Sequence, residues 1–402
     1  MSTNIIADRV RRIKVSPSSA AAARARELRE SGLTILDLTV GEPDFDTPQH
    51  IKDAAVAAIA AGQTKYTPVN GTVELRNAII DRLNKRTGIE YRHSEITVGG
   101  GAKQVIFTAL MATLDHGDEV IIPTPYWVSY PDMVLAHDGL PVIVEAAVEN
   151  KFKITPEQLA GAITDRTKWF ILNSPGNPSG AVYSEAELDA LASVLDSQPG
   201  VNVLTDEIYD EICFAEQPPA NLVQVAPRLR ERVFVVNGVS KAYAMTGWRL
   251  GYGAGSSELV SAINKLQSQS SSCPSSISQA AAIAALVGDQ CFIANTLEVY
   301  RQRRDLALAG FDAIESLSCI RPDGAFYILI NCQGAIGKKT PTGSRISNDQ
   351  DLTTYLLEQA RVAVIQGSAY GLSPYFRVSF ATSSETIKAA IDAVGRAISA
   401  LT

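Results

Sequence analysis

From about residue 95 to residue 255, short β-rich runs alternate with helical patterns, and this alternation limits the folds open to the chain. Several runs are almost continuously apolar, which is typical of strands buried on both faces. The predicted strands are residues 95–98, 119–123, 142–145, 169–173, 201–205, 233–237 and 250–253. Helices are predicted between them, for example at residues 102–114 and 184–195. The pattern predicts an α/β fold with a mostly parallel sheet covered by helices.

The rest of the chain has a different organisation. A long charged helix is predicted at residues 290–315, followed by a strand at 325–330 and a Gly/Lys/Thr/Ser loop at 334–348. A helix at 349–360, a strand at 376–380 and a final helix at 384–400 complete this α+β part. We therefore expect a large domain at residues 46–290 and a smaller α+β domain formed by residues 1–45 and 291–402. The N-terminal segment is expected to pack with the smaller domain or to contact a neighbouring subunit.

Composition excludes several classes of function. With 36 Lys and Arg against 43 Asp and Glu, the net charge is −7, which argues against a nucleic-acid partner. Five cysteines without a C-x-x-C pair and only four histidines indicate no metal site, and they predict reduced thiols in a cytoplasmic protein. No secretory signal is apparent, and apolar runs such as residues 280–287 are too short to span a membrane.

Three polar residues each follow a predicted strand of the parallel sheet: Asn177, Asp206 and Lys241. Ligands of open α/β sheets bind at the carboxyl ends of the strands, so these side chains are expected to converge. The combination suits pyridoxal phosphate, because a lysine amine forms a Schiff base with its aldehyde and an aspartate keeps its pyridine nitrogen protonated. Asn177 and Tyr209 are candidates to hydrogen-bond the phenolic oxygen of the ring. Each residue alone is a weak signal, and their joint placement carries the prediction.

A phosphate group needs its own binding site, and residues 99–103 offer one. The run Gly-Gly-Gly-Ala-Lys links a predicted strand to a predicted helix, so the backbone amides at Gly101, Ala102 and Lys103 can meet an anion. As a glycine-rich loop the run is weak evidence, because it matches neither G-x-G-x-x-G nor G-K-[ST]. Ser240 and Arg249 flank Lys241 and are expected to complete the phosphate site.

Four motifs in register resemble those of the class I/II aminotransferases of fold type I. They are S-K-A-Y-A-M-T-G-W-R at 240–249, N-S-P-G-N-P-S-G at 173–180, T-D-E-I-Y at 205–209 and G-E-P-D-F-D-T-P at 41–48. Together with matching residues from about 15 to 381 they cover essentially the whole chain. Within the family, the sequence is most similar to the bacterial aspartate aminotransferases, a branch that includes enzymes acting on aromatic amino acids and prephenate.

The resemblance implies further roles around the cofactor. Trp127 matches the aromatic residue that stacks on the pyridine ring, although core packing is the usual role of a tryptophan. Tyr66 matches a tyrosine that reaches the phosphate of the neighbouring subunit. The resemblance therefore implies a homodimer with shared active sites.

The resemblance also implies how the substrate is bound. Arg377 matches the arginine that holds the substrate α-carboxylate, and Gly41 matches the backbone position that closes over it. Trp127 and Asn177 are expected to contact the substrate as well. The partner-chain arginine that binds the second carboxylate in some aspartate-specific members has no identifiable counterpart. Lys14 aligns with an N-terminal lysine near the site, and we expect it to take that role.

The predicted reaction is therefore a ping-pong amino transfer between an L-amino acid and a 2-oxo acid such as 2-oxoglutarate. Lys241 serves as Schiff-base lysine and general base. A pyridoxal-phosphate-dependent lyase or synthase on the same fold is the alternative, since fold and cofactor do not determine the reaction. A ligand-sensing module would need a fused DNA-binding segment, for which this acidic chain leaves no room. The sequence does not rank aspartate, aromatic amino acids and prephenate as substrates.

Overall fold

The computed structural model describes residues 5–15 and 17–402, and its central feature is a seven-stranded sheet. The strands of the chain are β1 (Leu36–Asp37), β2 (Ile96–Gly99), β3 (Glu119–Thr124), β4 (Leu140–Glu145), β5 (Thr167–Asn173), β6 (Asn202–Asp206), β7 (Val233–Gly238), β8 (Gly251–Ala254), β9 (Ser318–Cys319), β10 (Tyr327–Asn331), β11 (Val362–Ala363), β12 (Ile365–Gln366) and β13 (Tyr375–Ser379). The large sheet has the order β2-β8-β7-β6-β5-β3-β4. Only β8 runs antiparallel to its neighbours, so the predicted mostly parallel α/β sheet is confirmed.

Helices cover the sheet and form most of the remaining structure. They are α1 (Asp8–Arg12), α2 (Pro17–Glu30), α3 (Gln49–Ala60), α4 (Val73–Thr87), α5 (Ala102–Thr113), α6 (Ser129–Ala136), α7 (Pro156–Ala162), α8 (Glu185–Asp196), α9 (Leu222–Val225), α10 (Ser257–Ser270), α11 (Ser276–Val287), α12 (Cys291–Asp312), α13 (Asp349–Tyr355) and α14 (Ser384–Ser399). Helix α8 begins as predicted, because the Ser184 hydroxyl accepts from the Glu187 amide and the Glu187 carboxylate accepts from the Ser184 amide.

Alternating side chains of the central strands build two hydrophobic cores, one on each face of the large sheet. In β7, Val233 and Val235 belong to one core, whereas Phe234 and Val236 belong to the other. This alternation follows from the strand period of two residues. Strands buried on both faces have near-continuous apolar sequences, which is why all seven predicted strands overlap strands of this sheet.

A third core lies in the C-terminal part of the chain, where β10 and β13 pair antiparallel and α12 packs against α14. The predicted helices and strands of this part are present, although the helix that starts at Asp349 changes at Leu356–Ala360 to π-helical hydrogen bonding. The N-terminal segment joins this part through β1, which pairs in parallel with β11. Neither α2 nor β1 was predicted from the sequence. We propose the division at residues 45 and 290 because most of the third core lies outside residues 46–290, with Tyr209, Ile212 and Phe214 as its contribution from the large part.

Among residues 5–15 and 17–402, no single helix has both the length and the apolar character needed to cross a membrane. The pair α11 and α12 meets those criteria only when combined across a bend of 80°.

Three glycines stand side by side where β2, β7 and β8 approach the start of α5. Gly251 lies opposite Gly99 on one side and Gly238 on the other. A Cβ atom on Gly251 would overlap the backbone of Gly101 and Ala102. The helix can therefore begin this close to the sheet only because the strand carries no side chain there.

Gly251→Ala is expected to lower the free energy of unfolding by about 1–3 kcal/mol, because the added methyl group forces α5 away from the sheet. Urea unfolding followed by circular dichroism measures the change. Gly161→Ala is the matched control, since Gly161 is exposed in α7 and a Cβ there meets no atom within 4 Å. That control should gain about 0.5–1 kcal/mol. Equal effects of the two substitutions would contradict this explanation of why Gly251 carries no side chain.

Candidate active site

A cavity of about 340 Å³ lies at the carboxyl ends of the parallel strands. Asp206 is the last residue of β6 and Asn173 the last of β5, while Lys241 follows β7 by three residues. Tyr327 of β10 and Arg377 of β13 bring side chains from the C-terminal sheet to the same cavity. The site therefore lies between the large sheet and the smaller one, where α/β folds commonly bind ligands.

Most of the residues predicted from the sequence line this one cavity. They are Gly41, Ala102, Lys103, Trp127, Asn177, Asp206, Tyr209, Ser240, Lys241, Arg249 and Arg377. Gly101 lies just beside the lining, where a Cβ atom would come within 2.5 Å of the Arg249 guanidinium. The convergence expected from the strand ends is thus present in the structure.

Lys241 occupies the centre of the cavity wall, and its Nζ donates a hydrogen bond to the carbonyl oxygen of Gly41. Burial lowers the pKa of Lys241 to about 8, against the opposing effect of the Glu42 carboxylate. The positive charges of Arg249 and Arg377 lower this pKa further. A lysine with a pKa near neutrality supplies the unprotonated amine that attacks an aldehyde.

Asp206 is 4% exposed and would lose its charge in an apolar environment. Burial raises the pKa of this carboxyl, whereas a hydrogen bond from the Tyr130 hydroxyl, at 2.7 Å, lowers it. The backbone amide of Ile208 donates to the other carboxylate oxygen at 3.3 Å. Tyr130 is itself buried in α6, so the pair is shielded from water. This carboxylate can face a protonated ring nitrogen across the cavity.

The opposite end of the cavity can hold an anion. Helix α5 begins at Ala102, so its free backbone amides and the positive end of its dipole lie at this end. The Arg249 guanidinium is held by the carbonyl oxygens of Gly100 and Thr246, at 3.2 and 3.0 Å. Burial and then the charge of Arg249 lower the pKa of Lys103. Several donors and two cations thus meet where a phosphate would bind.

Trp127 follows β3 and forms an aromatic wall of the cavity. Its ring meets the Tyr130 ring edge to face, with centroids 5.3 Å apart, and the Lys103 ammonium lies 4.7 Å from its centroid. The indole is half-buried and lines the cavity, so part of its surface is open to a planar ligand. Such a surface is suited to stacking on an aromatic ring.

Arg377 is 3% exposed, and its guanidinium is held from two sides. One Nη donates to the Asn177 side chain at 3.1 Å and the other to the Thr39 carbonyl oxygen at 2.6 Å. Both partners are neutral, so neither of them is a counter-ion for the guanidinium. It is therefore available to pair with a carboxylate inside the cavity.

Two predicted residues, Tyr66 and Lys14, do not line the cavity of their own chain. Tyr66 is 90% exposed, between α3 and α4. Lys14 is exposed after α1, and its backbone amide donates to Asp132 in α6. Their expected functions remain predictions.

Sequence reasoning missed several residues that the structure brings to the cavity. They are Thr39, Ile106, Tyr130, Asn173, Ile208, Thr246 and Tyr327. Asn173 ends β5 and could have been found by the strand-end rule that identified Asp206. Tyr130 and Tyr327 resemble ordinary core tyrosines in the sequence, and no local pattern distinguishes them.

This set of groups fits pyridoxal phosphate. A buried lysine of lowered pKa, a buried carboxylate, an aromatic wall and an anion site at a helix start match its aldehyde, ring nitrogen, ring face and phosphate. Within residues 5–15 and 17–402, no group of three or more His, Cys, Asp or Glu side chains is arranged to hold a metal ion. Fold and cavity together define an α/β enzyme of the pyridoxal-phosphate-dependent type.

The chain belongs to the family of class I and II aminotransferases, whose pattern it matches over residues 34–394. It is 49% identical over 385 residues to the aspartate/prephenate aminotransferase of Cereibacter sphaeroides, covering 96% of each chain. The crystal structure of the aspartate aminotransferase from Rhizobium meliloti is similar with a TM-score of 0.96, at 49% identity over 99% of both chains. The Thermus thermophilus aspartate aminotransferase with maleate is similar with a TM-score of 0.90 and 39% identity, over 98% of this chain and 99% of that one. The protein is a pyridoxal-phosphate-dependent aminotransferase.

The lowered pKa of Lys241 can be tested on the protein from which the cofactor has been removed. Reductive methylation with formaldehyde and cyanoborohydride is expected to label Lys241 with a midpoint near pH 8, because only the neutral amine attacks the aldehyde. Mass spectrometry of the peptide carrying Lys241 measures the extent of labelling. In Glu42→Gln the midpoint should move lower, because the carboxylate that favours the charged amine is gone. A midpoint near the ordinary lysine value of 10.5 would show that the site does not tune this amine.

Proposed function

We propose that this aminotransferase moves the amino group of aspartate to 2-oxo acids, including prephenate. The observation that carries the proposal is the buried Arg377, which is held by Asn177 and Thr39 and lines the same cavity as Lys241. Amino acids and 2-oxo acids share an α-carboxylate, and a fixed guanidinium recognises that group whichever of them is bound. The names of the relatives, aspartate and aspartate/prephenate aminotransferase, support the choice of substrates.

Bound pyridoxal phosphate supplies an electron sink for the carbanion that forms when the substrate loses its α-proton. On this proposal Lys241 would be the residue that holds the cofactor through its aldehyde group. Asp206 holds the proton on the pyridine nitrogen, and its ionised state is favoured by the hydrogen bond from Tyr130. Asn177 and Tyr209 donate to the phenolic oxygen of the ring.

The phosphate and the ring face have separate partners. The backbone amides at Gly101, Ala102 and Lys103 bind the phosphate at the start of α5, together with Ser240 and Arg249. Trp127 stacks on the ring. These contacts would hold the cofactor in place independently of Lys241.

Lys241 also carries the proton. Its amine would take the proton from the substrate α-carbon, hold it and release it again during the transfer. With a pKa of about 8, the amine binds and releases a proton near neutral pH, as a general base must. The Gly41 carbonyl oxygen, which accepts from Nζ, orients the amine between its two tasks.

We also propose a homodimer with shared active sites. Tyr66 is almost fully exposed on its own chain, which suits a residue that reaches the phosphate of a neighbouring subunit. Exposed apolar side chains lie nearby in sequence at Val56, Ile59 and Val73, and such residues favour an interface over solvent. The five free cysteines support a cytoplasmic location, where thiols remain reduced.

Lys14 is proposed to bind the second carboxylate of aspartate. Helix α1 packs against α6, and the Lys14 amide is anchored to Asp132 on that helix. Helix α6 begins two residues after Trp127, so the anchored segment runs along the structure that forms the aromatic wall. An exposed ammonium at this location can meet a substrate that extends out of the cavity.

The amino-transfer half-reaction tests the function directly. Adding aspartate to the holoenzyme should convert all bound pyridoxal phosphate to pyridoxamine phosphate, with one equivalent of 2-oxo acid released. Arg377→Lys should lower kcat/KM by about 10- to 100-fold, because a charged bidentate contact is lost. Arg396→Lys, on the exposed face of α14, is the matched control. Consumption of aspartate without pyridoxamine phosphate would favour the alternative, a lyase or synthase.

The role of Lys14 has its own test. Lys14→Ala should raise the KM for aspartate about 5- to 30-fold, the loss expected of one partly exposed charged contact, and leave the KM for phenylalanine unchanged. Steady-state kinetics with both donors measures the split, and Lys388→Ala on α14 controls for loss of surface charge. Unchanged aspartate kinetics would eliminate Lys14 as the distal carboxylate ligand.

A further inference from the structure

Tyr327 contacts the substrate side and the cofactor side of the cavity at once. It begins β10 opposite Ser379 of β13, so Arg377 is its diagonal neighbour on the same face of the sheet. The Arg377 guanidinium lies over the Tyr327 ring, 4.2 Å from its centroid. The register of one strand pair thus stacks a buried cation on a buried aromatic ring.

The hydroxyl of Tyr327 has other contacts than the ring. It hydrogen-bonds the Tyr209 hydroxyl at 2.8 Å. It also lies against Gly41, since a Cβ atom there would be 2.9 Å from the hydroxyl oxygen. Gly41 is the residue whose carbonyl oxygen holds Lys241. Tyr327 therefore touches three residues of the site. Arg377 is proposed to bind the substrate carboxylate, Tyr209 to bind the phenolic oxygen of the cofactor, and Gly41 to orient the Lys241 amine.

We propose that Tyr327 is a positioning residue with two separable tasks: its ring fixes the Arg377 guanidinium, and its hydroxyl strengthens hydrogen-bond donation by Tyr209. The proposal rests on the roles given above to Arg377 and Tyr209. The stacked ring restricts movement of the guanidinium perpendicular to its plane, whereas the hydrogen bonds restrict movement within the plane. Asn177 and Thr39 hold its edge while Tyr327 holds its face. Tyr370 lies 5.2 Å from the guanidinium and gives a second, more distant aromatic contact.

The hydroxyl task follows from cooperativity in hydrogen-bond chains. A tyrosine hydroxyl that accepts a hydrogen bond becomes a stronger donor to its own acceptor. The geometry allows either hydroxyl to donate, and the proposal takes Tyr327 as the donor. The Tyr209 proton is then left for the phenolic oxygen of the cofactor and is donated more strongly. Without the Tyr327 hydroxyl, that oxygen holds negative charge less well.

Two substitutions separate the tasks. Tyr327→Phe keeps the ring and removes the hydroxyl, so the dissociation constant of succinate, a dicarboxylate without an amino group, should stay within about twofold. Its kcat should fall about 2- to 10-fold, as for one lost neutral hydrogen bond. The pH midpoint of the cofactor absorbance change in the resting holoenzyme should rise.

Tyr327→Leu removes the stacking, so the succinate dissociation constant and the KM for donor and acceptor should rise about 10- to 30-fold.

Tyr300→Phe is the matched control, because the Tyr300 hydroxyl is buried, has no hydrogen-bond partner in the described structure and lies outside the cavity lining. Its spectral midpoint and succinate affinity should equal those of the wild type. If Tyr327→Leu does not fold, Tyr327→Met replaces it as a flexible apolar side chain of similar length. Equal loss of succinate affinity in the Phe and Leu variants, or an unmoved midpoint in the Phe variant, would overturn the proposal. Failure of the wild type to form pyridoxamine phosphate would instead refute the proposed function, which the half-reaction measures separately.

Discussion

The site depends on keeping a carboxylate and an amine buried in one cavity without neutralising both. Burial raises the pKa of Asp206 and lowers that of Lys241, so desolvation pushes each toward its uncharged form. The hydrogen bond from Tyr130 offsets this effect at Asp206, and the Glu42 carboxylate offsets it at Lys241. An amine with a pKa of about 8 can serve as nucleophile and base, and in the proposed function the carboxylate would pair with the protonated ring nitrogen.

Buried ion pairs hold the turn behind Asp206 in place. Arg82 and Arg86 of α4 both bond to Asp210, which also accepts from the Asn237 side chain at 2.8 Å. Burial raises the pKa of Glu207 to about 7. Removing one partner of such a cluster leaves an uncompensated buried charge, which strongly destabilises a protein. The rigidity of the turn that carries Asp206 and Tyr209 therefore derives from charges outside the cavity.

Much of this arrangement could be predicted from the sequence, for an identifiable reason. Strands buried on both faces leave an apolar signature, and the polar residue after each one stands at the ligand-binding edge, which located Asp206 and Lys241. Contacts between distant segments left no such signature. Tyr130 reaches Asp206 across 76 positions of sequence, and Tyr327 reaches Tyr209 across 118. Strand β1 was missed because a two-residue strand has no readable period.

The segment at residues 41–48 explains how the two parts of the molecule act on one substrate. Asp44 forms a bidentate ion pair with Arg303 of α12, at 2.7 and 2.9 Å, which ties the segment to the C-terminal part. Its Thr47 hydroxyl donates to the Ala244 carbonyl oxygen, in the loop that carries Lys241. The segment thus links the part of the molecule that carries Arg377, the proposed carboxylate ligand, to the loop that carries Lys241. Amino transfer requires that relation, because the lysine must meet the α-proton of a substrate whose position is set by its carboxylate.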